Sequence, residues 1–195
     1  MSSKVRTLAC GIFRQELARL PPELLSGLRL SFLDSMLHMQ PEKLDQILHT
    51  ALLNPEPTLL VYGDCCHNMD EFIRPSVCRR TAGVNCCEIM LGSPRYCELR
   101  SKGSFFFMPE WTERWAEVFK TELGFADPDL ARRFMADSMS GLVYLDTGVS
   151  TIPSGTIKEI EAFMGMPVRI EHTGLQQLEL SIRAALKDLG AYDGA

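Results

Sequence analysis

The sequence predicts an α/β fold: a single three-layer domain over residues 1–195, with a mostly parallel sheet of about six strands and helices on both faces. Short apolar runs alternate with segments of helical spacing almost from end to end. The stretches between successive apolar runs have the length that crossover helices need, which parallel strands require. No internal repeat or low-complexity segment interrupts this pattern.

Residues 4–9 read as a short strand ended by Cys10-Gly11. Ile12, Phe13, Glu16, Leu17 and Leu20 then have helical spacing until Pro21-Pro22 stops them. A second strand over 28–33 leads into Asp34, Ser35, His38 and Met39. Pro41 suits a first helical position, and Leu44, Ile47, Leu48, Ala51 and Leu52 make a buried stripe. The loop Asn54-Pro55-Glu56-Pro57 breaks that helix, and strand 58–62 follows. It stops at Gly63 and presents Asp64, Cys65 and Cys66.

Residues 86–91 fit a helix ending at Gly92, and Ser93-Pro94 start a short polar helix to Arg100. After Gly103 comes an aromatic strand, 104–108. Pro109 opens a helix whose Trp111, Trp115, Val118 and Phe119 share one face and read as core. Asp127-Pro128 cap and start another helix, reaching about residue 139. Strand 141–145 closes on Asp146-Thr147-Gly148. From Pro153 a helix turns Ile157, Ile160, Phe163 and Met164 inward, and 168–171 is the last strand. Leu175, Leu178, Ile182, Ala185, Leu186 and Leu189 mark the final amphipathic helix, beyond which 190–195 reads as a flexible tail.

The net charge of −5 leaves no basic surplus for nucleic acid, so that class of partner is not expected. No apolar run approaches the roughly 20 residues of a membrane span. The apolar stretch at 5–13 is broken by Arg6, Thr7 and Gly11, which makes a poor leader. A cytoplasmic protein without membrane attachment is the expectation. Seven cysteines, an odd number with two adjacent pairs, do not form a secreted disulfide pattern. Reduced thiols are buried small hydrophobes, metal ligands or nucleophiles.

Several predicted strands end in a polar or thiol residue: Cys10, then Asp34 and His38, then Asp64 and Cys65, then Asp146. Parallel strands share one carboxyl edge, where open α/β sheets hold their ligands. Cys10, Cys65 and Cys86 could therefore meet as a three-thiolate site, with His38, Glu88 or an exogenous ligand in the fourth position. Zinc takes such ligands tetrahedrally, and an iron–sulfur cluster with one non-cysteine iron needs the same three thiolates. The residues do not separate zinc from an iron–sulfur cluster. Asp34, Asp64, Asn85 and Asp146 stand nearby as groups that orient a ligand or a small-molecule substrate. Cys66, Cys78, Cys87 and Cys97 read as packing residues, and His49, His67 and His172 as solvated. The competing readings are that all seven cysteines merely pack, or that one of them, Cys86 by its place at a helix start, is a nucleophile. No P-loop, G-x-G-x-x-G, G-x-S-x-G or H-E-x-x-H is present, and no catalytic residue is assigned.

With Ala9-Cys10, Phe13, Glu16-Leu17, His38, Pro41-Glu42-Lys43-Leu44, Tyr62-Gly63-Asp64-Cys65, Asn85-Cys86, Leu91-Gly92-Ser93, Arg95-Tyr96 and Glu110-Trp111, the chain resembles the family of domain of unknown function 1638. Cys10, Cys65 and Cys86 match that pattern, whereas Cys66 and Cys87 fall at its variable positions. Asn85 stands where relatives carry an aspartate, which removes a charge there. The resemblance implies work in or beside corrinoid-dependent methyl transfer, in one-carbon metabolism, with a corrinoid protein or its methyltransferase as partner. It implies no settled activity. A metal-free accessory protein for such a partner is the alternative it leaves.

Overall fold

The computed structural model describes residues 4–74 and 77–190. The chain divides into two compact units: the described residues of Met1–Gly92 with those of Leu175–Ala195, and Ser93–Gly174. The expected flexible tail lies, past Gly190, outside the described residues.

The first unit opens with β1 (Val5–Cys10), a 3-10 turn (Gly11–Phe13) and the short helices α1 (Arg14–Leu17) and α2 (Pro22–Ser26). β2 (Leu28–Leu33), a second 3-10 turn (Ser35–Met39) and α3 (Pro41–Leu52) follow. β3 (Thr58–Val61), α4 (Met69–Phe72), β4 (Cys78–Arg80) and α5 (Cys86–Leu91) complete its main stretch. The four strands are parallel, in the order β2-β1-β3-β4. Position in the sheet follows composition. All four residues of β3 are buried, as a central strand covered on both faces requires, whereas β2 at the edge alternates more polar residues. Leu44 and Leu48 of α3 are fully buried, so the apolar stripe read from the sequence faces the core.

The second unit holds α6 (Ser93–Ser101), β5 (Ser104–Phe107) and α7 (Pro109–Glu113), then a π-helical turn (Glu117–Glu122) and α8 (Pro128–Ser138). It ends with β6 (Gly141–Asp146), α9 (Ser154–Met164) and β7 (Val168–His172). Its strands are parallel in the order β5-β6-β7. Asp127 caps α8 by accepting from the Asp129 N–H, and Pro128 fills the first helical position. Phe107, Phe119 and Trp115 are buried, Phe107 and Phe119 with ring centroids 5.3 Å apart. The single helix expected from Pro109 through Phe119 is broken at Arg114, and the π-helical turn takes over.

The last helix, α10 (Gln176–Asp188), returns to the first unit and packs on α5, β3 and β4. Its Ser181 hydroxyl accepts from the Ala82 N–H at 2.7 Å, fixing the loop between β4 and α5.

The α/β class with parallel strands and intervening helices holds. The strands number seven among the described residues, in sheets of four and three, where about six in one sheet were expected. The extra strand, β4, is three residues long with two arginines, so it carries no apolar run. Its pairing with β3 rests on backbone hydrogen bonds at a sheet edge, which leave little trace in side-chain pattern.

Candidate functional site

The strand order of the first unit contains a reversal. From β1 the chain moves to β2 on one side, then to β3 on the other, so β1 and β3 are neighbours whose following segments diverge. Such a switch point opens a crevice at the carboxyl ends of the two strands. Cys10 is the last residue of β1, and Tyr62-Gly63-Asp64-Cys65 directly follow β3, whose Val61 pairs with Ala9.

A close backbone contact brings in the third thiol. A Cβ on Gly63 would stand 2.5 Å from both the Asn85 Cα and the Val84 carbonyl oxygen. The Asp64 N–H donates to the Val84 carbonyl at 2.8 Å. Only glycine permits this approach, and it sets Cys65 beside the start of α5, where Cys86 lies. Asn85 caps that helix by accepting from the Glu88 N–H at 3.0 Å, and Glu88 Oε2 accepts from the Val84 N–H at 2.8 Å. Glu88 is buried, and its carboxylate serves this loop.

Arg80, at the end of β4, ties the two loops together. Its guanidinium reaches Asp64 Oδ1 at 2.7 Å and donates to the Gly83 carbonyl at 2.7 Å. Thr81 Oγ1 donates to the Tyr62 carbonyl at 3.2 Å. Tyr62 is 2% exposed, and its hydroxyl is buried without a hydrogen-bond partner. Burial, and next the charges that Cys10, Cys65, Cys66 and Asp34 would carry, push its pKa far up. The orphaned phenol therefore stands among the residues that the ends of β1, β2 and β3 deliver.

The thiols are held protonated. Burial, followed by the nearby Cys86, pushes Cys65 up to about 11. Cys86 is raised well above the ordinary thiol value, first by its contact with Cys87, whose Sγ is 3.9 Å away, and then by burial. Cys66 is driven to about 12 by burial and then by Asp45, whose carboxylate also accepts from the Asn68 backbone and side chain.

Asp34 is the cap of the 3-10 turn, accepting from the Met36 N–H at 2.9 Å. His38 lies on the exposed side of that turn, though enough protein surrounds it to lower its pKa by desolvation. Asp146 belongs to the second unit, where its Oδ2 meets His172 Nδ1 at 2.7 Å. Of the predicted residues, the first unit thus gathers Cys65, Asp64, Asn85, Cys86 and Glu88 around one loop contact, and Cys10, Cys65 and Asp34 around Tyr62. Among the described residues, no group of three or more His, Cys, Asp and Glu stands in a placement that could hold a metal ion.

Sequence reasoning passed over Tyr62, Arg80 and Cys87. Tyr62 reads as one more apolar residue of a strand, and Arg80 needed β4 to be recognised. The adjacency of Cys86 and Cys87 was the available signal for the third. Next-neighbour cysteines rarely put both thiols on one ligand, so from the sequence Cys87 reads as a packing residue.

The model of the family described as "Protein of unknown function (DUF1638)" matches residues 32–182, well over half the chain. The chain belongs to that family. The matched region takes in Cys65 and Cys86, and Cys10 precedes it. No curated protein and no solved structure matches the chain. No helix among the described residues is long and apolar enough to cross a membrane.

Proposed function

We propose that this protein is a cysteine-ligated metalloprotein whose ion, zinc or the iron of an iron–sulfur cluster, is held at the β1–β3 crevice by Cys10, Cys65 and Cys86. The observation that carries this reading is the Tyr62 hydroxyl, buried without a partner among Cys10, Cys65 and Asp34. A buried polar group left unpaired costs about 1–3 kcal/mol, so its retention calls for something to meet it. Among the described residues the three thiols do not already stand in a ligating placement, so an ion would have to draw them together. The donor set is one a soft or borderline cation takes, and Arg80 beside Cys65 offsets the negative charge that three thiolates build up. Glu88 is engaged in its loop, which leaves His38 or an exogenous group for the fourth position.

When bound, the ion would act as a Lewis acid or lower the pKa of a coordinated thiol or water. This chain's residues supply the setting: Asp64 and Arg80 fix the Cys65 loop, and Asn85 fixes the start of α5. The raised thiol pKa values argue against a free thiolate nucleophile, because such thiols stay protonated near neutrality. A bound cation reverses that balance.

The resemblance to companions of corrinoid-dependent methyl transfer supports a role in or beside one-carbon metabolism, with a corrinoid protein or its methyltransferase as partner. A metal-free accessory protein for the same partner is the competing reading. Serine variants of each cysteine, purified anaerobically, separate the two. The metal reading expects Cys10→Ser, Cys65→Ser and Cys86→Ser each to lose the ion, while Cys78→Ser and Cys97→Ser keep it. The accessory reading expects partner capture undiminished in the Cys10→Ser, Cys65→Ser double variant.

A further inference from the structure

In the second unit, α6 covers one face of the β5-β6-β7 sheet only in part. Strands alternate their side chains between faces, and the registers pair Ser104 with Gly141 and line up Phe106, Val143 and Arg169. All five positions therefore lie on one face. Tyr96 of α6 stacks on Phe106 with ring centroids 5.5 Å apart, and Arg95 holds the Glu171 carboxylate at 2.7 and 2.8 Å. Nearer the amino ends of the strands the face is bare: a Cβ added at Gly141 would meet nothing within 4 Å. A groove of about 360 Å³ opens there, within the range of small-ligand sites.

Its lining includes Lys102 and Arg169 and, among the described residues, no carboxylate, on a chain of net charge −5. Lys102 gives one of its donors to Glu98 at 2.6 Å. The Arg169 guanidinium stands 3.9 Å from Glu171, whose carboxylate Arg95 already holds, so its donors stay open to a ligand. Ser104 is 7% exposed, lines the groove, and its hydroxyl makes no hydrogen bond among the described residues. Val143 adds an apolar wall.

We propose that this groove binds a small organic anion, with a carboxylate or phosphate on Arg169, Lys102 and the Ser104 hydroxyl and a short apolar body over Gly141 and Val143. Charge-assisted bonds from a guanidinium fit such an oxyanion, and the missing side chain at Gly141 supplies the room. The site shares no residue with the thiol crevice and stands or falls apart from it.

The experiment is calorimetric titration of the full chain at low salt with benzoate, phenyl phosphate and inorganic phosphate. One of the two organic anions should bind in a single equivalent and more tightly than inorganic phosphate; which one does so tells carboxylate from phosphate. Arg169→Gln should weaken that binding about ten-fold or more, and Ser104→Ala between about two- and ten-fold. Gly141→Val fills the groove from a strand position with open space, so it should fold as the unaltered chain does and lose binding. Arg169 is exposed, so Arg169→Gln reports on binding even if Gly141→Val fails to fold. Binding unchanged in Arg169→Gln, or inorganic phosphate held as tightly as the organic anions, would reduce the groove to diffuse attraction by surface cations and overturn the proposal. Failure of the unaltered chain to take either organic anion would overturn it as well.

Discussion

In the first unit the strands run β2-β1-β3-β4, reversing across β1, whereas in the second they run β5-β6-β7 without reversal. The carboxyl edges differ to match. The first gathers thiols, an orphaned phenol and a half-buried guanidinium paired with Asp64. The second ends in ion pairs between half-buried carboxylates and more exposed cations: Asp146 with His172, and Arg95 with Glu171 at 2.7 Å. In the second, Asp146 meets His172 and Glu171 meets Arg95. In the first, a glycine contact crowds two loops together and leaves a buried hydroxyl facing thiols. The two edges share parallel strands and differ in strand order, which decides where a crevice can open between neighbouring strand ends.

The sharpest way to break this contrast is to place a methyl group at the loop contact. Gly63→Ala drives a Cβ into the backbone of Val84 and Asn85 and should cost about 3 kcal/mol or more, measured by urea unfolding. In the second unit Gly148 has φ +75° and open space around it. There alanine meets only left-handed strain, about 1–2 kcal/mol. Equal effects at the two positions would remove the contrast.

A second test uses alkali on the metal-free chain. Burial pushes Cys65 up to about 11 and Cys66 up to about 12, above the ordinary thiol value of 9.0. Because the folded values are raised, their stabilising effect is complete below pH 9.0 and is lost as pH climbs towards 11–12. Urea midpoints should fall over that range, less so in the Cys65→Ser, Cys66→Ser variant. An identical slope in the variant would contradict the assignment.

Removing the orphaned hydroxyl is a smaller perturbation. Tyr62→Phe should stabilise the metal-free chain by about 1–2 kcal/mol, since an unpaired buried group disappears. Destabilisation would show that the phenol has a partner. Capping residues should respond alike in both units: Asn85→Ala and Asp127→Ala should each cost about 1 kcal/mol. The smallest effect falls on the second edge. Asp146→Asn breaks a pair with the largely exposed His172 and should change stability by less than about 1 kcal/mol.

Much of the fold was legible because burial leaves a period in the sequence. The β3 run, the α3 stripe and the Asp127-Pro128 start of α8 are all found where expected. β4 was not legible, since a three-residue edge strand with two arginines is held by its neighbour's backbone. Nor was the parting of β5-β6-β7 from the first sheet, because strand pairing is a long-range choice that side-chain pattern underdetermines. For the site, Cys10, Cys65 and Cys86 could be placed near strand and helix ends from punctuation alone. The crowding of Gly63 against Asn85 and the turning of Cys87 towards Cys86 are tertiary facts, invisible until the loops are in contact.

The most direct measurement is elemental analysis, with an absorption spectrum, of the full chain purified without oxygen. A thiolate-metal site predicts close to one equivalent of zinc, or iron with the sulfide-to-iron bands of a cluster. Chain free of both metals, with unfolding unchanged by chelators, would contradict it.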